Sequence, residues 1–227
     1  DYVTSTNTDI YRYNLASKKT TNLTKSNPGY DTSPAFSSTG QLAWLRMDKP
    51  GYEADKNDII VMLNNTEVNL TEHWDGTVYG FMWSHDAEDI YFVAPTGGTI
   101  QLFQVPVKTN TKAKPEIKQL THGMFDVNGI VAALKGQLIV TRNSMNSAKE
   151  IYRFDLKNQE MTALTKVNEA FYADLDLPTV KKRMVTTKDG KEMLVWVIYP
   201  PNFSERKKYP TLLYLQGGPQ SSLSQFY

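Results

Sequence analysis

Between Tyr209 and Gln220 the chain reads YPTLLYLQGGPQ, an apolar run that ends in two glycines and a proline. Residues without a Cβ at the end of a strand leave their backbone N–H groups open. Such groups, aimed at one point, stabilise the oxygen that becomes negative during acyl transfer. Gly217 and Gly218 meet that requirement. Pro219 restricts Gly218 to extended conformations and fixes its own φ, so the loop is expected to be rigid, with Gln216 and Pro219 shaping it. On its own, a Gly-Gly-Pro after a strand is also an ordinary turn. The chain contains no G-x-S-x-G elbow to supply a nucleophile, and no base accompanies the serines of SSLSQFY, of which Ser221 or Ser222 is a plausible helix N-cap.

Composition narrows the other chemistries. The absence of cysteine removes thiolate nucleophiles, disulfides and thiolate zinc sites together, without choosing a compartment. His73, His85 and His122 have no metal-binding spacing and read as surface loop residues. There is no P-loop or dinucleotide-binding glycine pattern, so neither a metal nor another cofactor is expected. With 25 Lys and Arg against 24 Asp and Glu, the net charge of +1 offers no electrostatic footprint for nucleic acid. No apolar run approaches the roughly 18 residues that cross a bilayer. The opening DYVTSTNTD lacks a basic or apolar leader and reads as an interior cut.

The elements that must carry this loop fall into two kinds. DIYRYNLASKKTTNLT (Asp9 to Thr24) and EIYRFDLKNQEMTALT (Glu150 to Thr165) agree without a gap at seven of sixteen positions. The Leu-Thr ending recurs at Leu70-Thr71 and Leu120-Thr121, so the four endings are 47, 50 and 44 residues apart. A second motif, SPAFSSTGQLAWL from Ser33, matches GFMWSHDAEDIYFV from Gly80, with KGQLIV from Lys135 as a weaker copy. These runs alternate with a two-residue period and are separated by turn formers, as strands are. Short strands repeating every 40 to 50 residues are the signature of β-propeller blades. Residues 1–172 are thus expected to form about four blades, with further blades before Asp1. Trp74-Asp75 lies in a loop after a Leu-Thr ending and is not a WD-repeat signature. Trp44, Trp83 and Trp196 are expected in the core and Trp74 on the surface.

The grammar changes after about Tyr172. KRMVTTKDGKEMLVWVIYPP predicts a hairpin, Met184 to Thr187 and Glu192 to Tyr199, around an Asp189-Gly190 turn. Its second strand is apolar on both faces, which suits a strand covered from both sides as in α/β sheets. A charged connection, NFSERKKY, then leads to the second two-sided run, PTLLYL, and so to the glycines.

This order of repeat-built β region, hairpin, charged connection and YPTLLYLQGGPQ resembles the prolyl oligopeptidase family of serine peptidases, and most closely its acylaminoacyl-peptidase and bacterial dipeptidyl-peptidase branch. The resemblance covers essentially the whole chain. It implies a mainly β chain: a partial propeller in residues 1–172, with N-terminal blades missing, followed in 173–227 by the first strands of an α/β-hydrolase domain, truncated before the nucleophile. It further implies a Ser-Asp-His triad later in the parent enzyme, and an oxyanion-hole N–H from Gly217 or Gly218. Gln216 stands where the family has His, which puts a role for that side chain in doubt. A fragment without the triad is expected to be inactive. The implied substrates are peptides cleaved near their N-termini, the full-length enzyme is open to forming a homo-oligomer, and the bacterial relatives suggest a secreted or periplasmic location.

In RMDKPGYEADKND, Arg46 to Asp58, the GYEAD segment is similar to one common in this branch. By analogy Glu53 or Asp55 would bind the free α-ammonium of a peptide; otherwise the segment is a solvated blade insertion. The alternative for the whole chain is a non-catalytic propeller binding or scaffold module, which explains the repeats but not a two-sided hairpin followed by GGP.

Overall fold

The Leu-Thr repeat closes one sheet after another. The computed structural model of the protein describes residues 7–107, 114–215, 217 and 222–225. β1 (Tyr11–Tyr13) and β2 (Thr20–Asn22) form a two-stranded sheet. Three four-stranded antiparallel sheets come next, each in chain order. The first holds β3 (Asp31–Phe36), β4 (Leu42–Arg46), β5 (Asp58–Leu63) and β6 (Thr66–Asn69). The second holds β7 (Gly80–Trp83), β8 (Asp89–Thr96), β9 (Thr99–Pro106) and β10 (Lys118–Gln119). The third holds β11 (Asp126–Leu134), β12 (Gln137–Ser144), β13 (Ser147–Asp155) and β14 (Met161–Ala163). These meanders are the blades of a β-propeller. Among the described residues the expected four resolve into three four-stranded blades and the β1–β2 pair.

Each Leu-Thr ending is a clamp. The Thr hydroxyl accepts a backbone N–H from within or just before the strand that pairs with the one leading to it: Ile10 to Thr24 at 3.0 Å, Ile59 to Thr71 at 3.0 Å, Leu102 to Thr121 at 2.9 Å and Ile151 to Thr165 at 2.9 Å. A polar residue precedes each of those N–H groups, Asp9, Asp58, Gln101 and Glu150. Thr71 donates to Asp58 at 2.6 Å and Thr165 donates to Glu150. The repeat therefore conserves within this chain a hydrogen-bonded closure that lets a buried Thr satisfy its hydroxyl.

Alternation within strands supplies both faces of each blade. Ala43 and Leu45 of β4, with Ile59 and Val61 of β5, pack against Trp83, Ile90, Phe92 and Phe103 of the next blade. Leu42, Trp44 and Ile60, one residue out of phase, pack with Ile10 and Leu23 on the other side. Tyr91 and Val93 continue the pattern against Leu138, Val140 and Phe154 of the third blade. Strands covered on both faces have no wet side, hence the near-continuous apolar runs. Trp44 and Trp83 are buried, as expected. Trp74 is half-buried rather than on the surface: its ring lies 5.4 Å from Phe92 and 5.3 Å from Phe103, because the loop after Leu70-Thr71 packs it against the core between the first and second blades.

After β14 a five-residue helix, α1 (Glu169–Ala173), leads to β15 (Thr179–Thr186) and β16 (Glu192–Tyr199), a hairpin in unbroken register. Its first strand begins earlier than the predicted Met184, since Lys181, Lys182 and Arg183 are tolerated on an exposed strand. β16 is not covered on both sides. It is half-buried to exposed, and Trp196 is only half-buried rather than core. Residues 211–215 form no strand, with Leu212 98% exposed: an apolar run becomes a buried strand only where a sheet edge and covering layers meet it, and among the described residues none do.

Candidate functional site

In an antiparallel four-stranded blade the first strand starts, the second ends and the third starts at the same end. Three connections therefore share one end of the propeller: the Arg46–Asp58 loop, the Gly97-Gly98 turn and the Met145-Asn146 turn. The segment after the propeller sits on that end. Lys182 Nζ donates to the Gly97 carbonyl at 2.7 Å, and Asn146 Nδ2 donates to the Pro178 carbonyl at 2.8 Å. Gly98, at φ +82°, lies so close to the hairpin that a Cβ there would stand 2.6 Å from Leu194 Cδ1 and 3.0 Å from Trp196 Cζ2. Trp196 Nε1 in turn donates to the Leu223 carbonyl at 3.0 Å.

The candidate oxyanion loop lies just before that contact. Gly217 is exposed, and a Cβ built on it would meet no atom within 4 Å, so this backbone is open to an approaching ligand. Gln216, Gly218, Pro219 and Ser221 lie outside the described residues. Ser222 is exposed and residues 222–225 are not helical, so the expected helix start is not seen there.

The chain leaving this loop is anchored by contacts that carry no signal in the sequence. Gln225 is buried, its N–H donating to Asp126 Oδ2 at 2.9 Å and its side-chain Oε1 accepting from the Met145 N–H at 3.3 Å. Its carbonyl accepts from Asn143 Nδ2. Burial pushes the Asp126 carboxyl above the usual carboxylate range, opposed by hydrogen bonds from Ser224 and from the backbone N–H groups of Ile100 and Gln225.

The Arg46–Asp58 loop separates the two acidic candidates. Asp55 is used by the loop itself: its Oδ2 accepts the N–H groups of Asp48 at 3.1 Å and Lys49 at 2.9 Å, and its Oδ1 lies 3.4 Å from Lys49 Nζ. Burial raises the Asp55 carboxyl, but those hydrogen bonds and one from the Lys56 backbone outweigh it and hold the group below its ordinary range. Lys56 fastens the base of the loop, donating to the carbonyls of Thr71, Glu72 and Trp74 and pairing with Asp58 at 2.9 Å. Glu53 is exposed and lines an open depression of about 390 Å³ with Tyr30, Thr32, Met47 and Asn57. The depression thus lies at the propeller end that carries the hairpin. His73, His85 and His122 are all exposed, and among the described residues no three His, Asp or Glu side chains gather at one point.

Comparison with known proteins places this arrangement. No family model matches the chain. It is similar to dipeptidyl-peptidase 5 of Porphyromonas endodontalis, 41% identical over 231 residues that take in 100% of this chain and 32% of that protein. The chain spans about a third of the length of the curated relatives it matches. An acylaminoacyl peptidase solved with Z-Gly-Gly-Phe-chloromethyl ketone superposes with a TM-score of 0.69 at 17% identity, over 89% of this chain and 29% of that one. The β-propeller domain of the trilobed protease from Pyrococcus furiosus superposes with a TM-score of 0.54 at 17% identity, over 74% of this chain and 46% of that one. No helix among the described residues is long and apolar enough to cross a membrane. The chain is therefore a homologue of the dipeptidyl-peptidase 5 proteins, matching part of those longer proteins, and it shares its fold with the acylaminoacyl peptidase.

Proposed function

We propose that the chain is part of a serine exopeptidase that hydrolyses peptide bonds near the N-terminus of oligopeptides, in the manner of a dipeptidyl- or acylaminoacyl-peptidase. The observation that carries this reading is the 41% identity to a dipeptidyl-peptidase 5 along the whole chain, through both the blades and the segment that ends in the Gly217 loop. Residues 1–172 act as the propeller and 173–227 as the beginning of the hydrolase domain. That division is supported by the change from four-stranded blades to the β15–β16 hairpin, and by the propeller-only structure matching a smaller share of the chain than the acylaminoacyl peptidase does. The triad of the parent enzyme attacks the peptide carbonyl, and the backbone N–H of Gly217 or Gly218 stabilises the oxyanion. Taken by itself the chain holds no G-x-S-x-G elbow and is inactive. Assembly of the parent enzyme as a homo-oligomer belongs to the same proposal and is tested by its mass in solution.

Glu53 supplies the charge that binds the free α-ammonium of the substrate; its place in an open depression, at the end of the propeller that carries the hairpin, supports this. Asp55, held by the loop backbone, keeps that loop in shape. Labelling of the full-length parent protein with a fluorophosphonate tests the peptidase reading: a serine after Tyr227 is labelled, and a protein that takes no label is not a serine peptidase. Glu53→Gln in that protein is expected to lower kcat/KM for free-amino substrates at least tenfold against N-blocked ones, and an unchanged ratio removes Glu53 from the binding site.

A further inference from the structure

We infer that Asp126 and Asn143 of the third blade are positioning residues for the Gly217 loop, acting through a socket that holds Gln225; the inference rests on the peptidase reading above. Gln225 is 2% exposed, although it comes after a segment whose residues Leu212 to Leu215 are open to solvent. Among the described residues its hydrogen bonds go to one blade: its N–H to Asp126, its carbonyl to Asn143 and its side chain to the Met145 backbone. Asp126 is fully committed, because its other oxygen accepts the Ile100 N–H at 2.7 Å. One carboxylate thus joins the third strand of the second blade, the first strand of the third blade and residue 225.

The first blade shows that this use is particular. Asp31 opens β3 as Asp126 opens β11, and it too is buried, yet its partners are Trp44 Nε1 at 2.7 Å and Asn27 Nδ2 at 3.0 Å, both within the propeller. The first strand of the second blade opens on Gly80, which has no side chain to offer. Two residues before Gln225, the Leu223 carbonyl is held by Trp196 of β16. The chain leaving the Gly217 loop is therefore pinned first to the hairpin and then to the propeller. A shift of either part moves the loop, and a misplacement of about 1 Å in such a group costs on the order of a hundredfold in rate.

The test uses the full-length parent enzyme with Asp126→Asn, in which one of the two N–H groups faces an amide NH2 instead of a carboxylate oxygen. Asp31→Asn is the control: the same buried charge is removed where no contact leads to the loop. Expected for Asp126→Asn is a kcat about tenfold lower on a dipeptidyl chromogenic substrate, KM within about twofold, and fluorophosphonate labelling slowed in proportion, since the phosphoryl oxygen uses the same donors. Asp31→Asn is expected to lower Tm and leave kcat unchanged. Should Asp126→Asn not fold, Gln225→Ala keeps the backbone contacts and is expected to lower kcat about threefold. Variants with wild-type kcat, or a loss matched by Asp31→Asn, overturn the inference while the labelled wild type leaves the peptidase reading standing. A wild type that takes no label overturns both.

Discussion

The β1–β2 pair and the β13–β14 pair are two copies of one sequence motif in two different surroundings. Their local structures coincide at an offset of 141 residues: Tyr11 pairs with Asn22 as Tyr152 pairs with Ala163, and Tyr13 with Thr20 as Phe154 with Met161. The turn is copied as well. Asn14 Oδ1 accepts the N–H groups of Ala16 and Ser17, Asp155 Oδ1 those of Lys157 and Asn158, and the turn closes on a left-handed residue in each case, Lys18 at φ 54° and Gln159 at φ 58°. Burial does not coincide. Tyr13 is 54% exposed where Phe154 is 1% exposed, since β13 has β12 beside it and the second blade against its face. The motif is sufficient for the hairpin and its Thr clamp, while the stabilising area comes from the neighbouring sheets.

The largest effect expected from this contrast is at its most buried member. Phe154→Ala leaves a cavity between the second and third blades and is expected to cost about 3 to 5 kcal/mol. Tyr13→Ala, at the same place in the repeat, is expected to cost less than about 1 kcal/mol in this chain. Urea denaturation followed by tryptophan fluorescence compares the two. Equal losses would mean that the repeat stabilises through its own hairpin rather than through the layer beside it.

The clamp sharpens the comparison at a lower energy. Thr71 is fully buried; its hydroxyl accepts from Ile59 at 3.0 Å and donates to Asp58 at 2.6 Å, and Asp58 also holds Asn69 at 3.1 Å and Lys56 at 2.9 Å. Thr71→Val keeps the shape and leaves a buried N–H and a carboxylate oxygen short of a partner, at an expected cost of about 1 to 3 kcal/mol. A loss below about 0.5 kcal/mol in the same denaturation experiment would reduce the Leu-Thr repeat to a trace of ancestry without energetic weight.

Most of the blade architecture is legible in the sequence because the physics is local: strand alternation, turn residues such as Asn64 and Asn65 at positive φ, and the Leu-Thr clamp all lie within one repeat. The inward packing of Trp74 is not legible, because its partners, Phe92 and Phe103, arrive from strands that the loop reaches only once the blade has formed. Nor is the exposure of residues 211–215, since apolar character suits a covered strand but cannot supply the cover. Of the candidate site, Gly217 and Glu53 are visible as residue types. The Asp126, Asn143 and Gln225 socket is not, since it joins positions up to 99 residues apart through backbone N–H and carbonyl groups that carry no residue signature.

The smallest effect expected concerns the Arg46–Asp58 loop, which no other described blade has in its place. Asp55 sits below the usual carboxylate range, so its ionised form favours the folded loop. That contribution is complete above the ordinary carboxylate pKa of about 4 and is lost as pH falls through the lower folded value. Lys49 adds little, being mostly exposed. Amide exchange, corrected for its intrinsic pH dependence, is therefore expected to speed up at Asp48 and Lys49 by a few-fold below about pH 4, with the Gly97-Gly98 turn of the next blade unaffected. In Asp55→Asn the exchange should be fast at neutral pH and indifferent to acid. If protection at Asp48 and Lys49 persists through the titration, the loop is held by Lys56 at its base alone, and Asp55 is released for the substrate role proposed for Glu53.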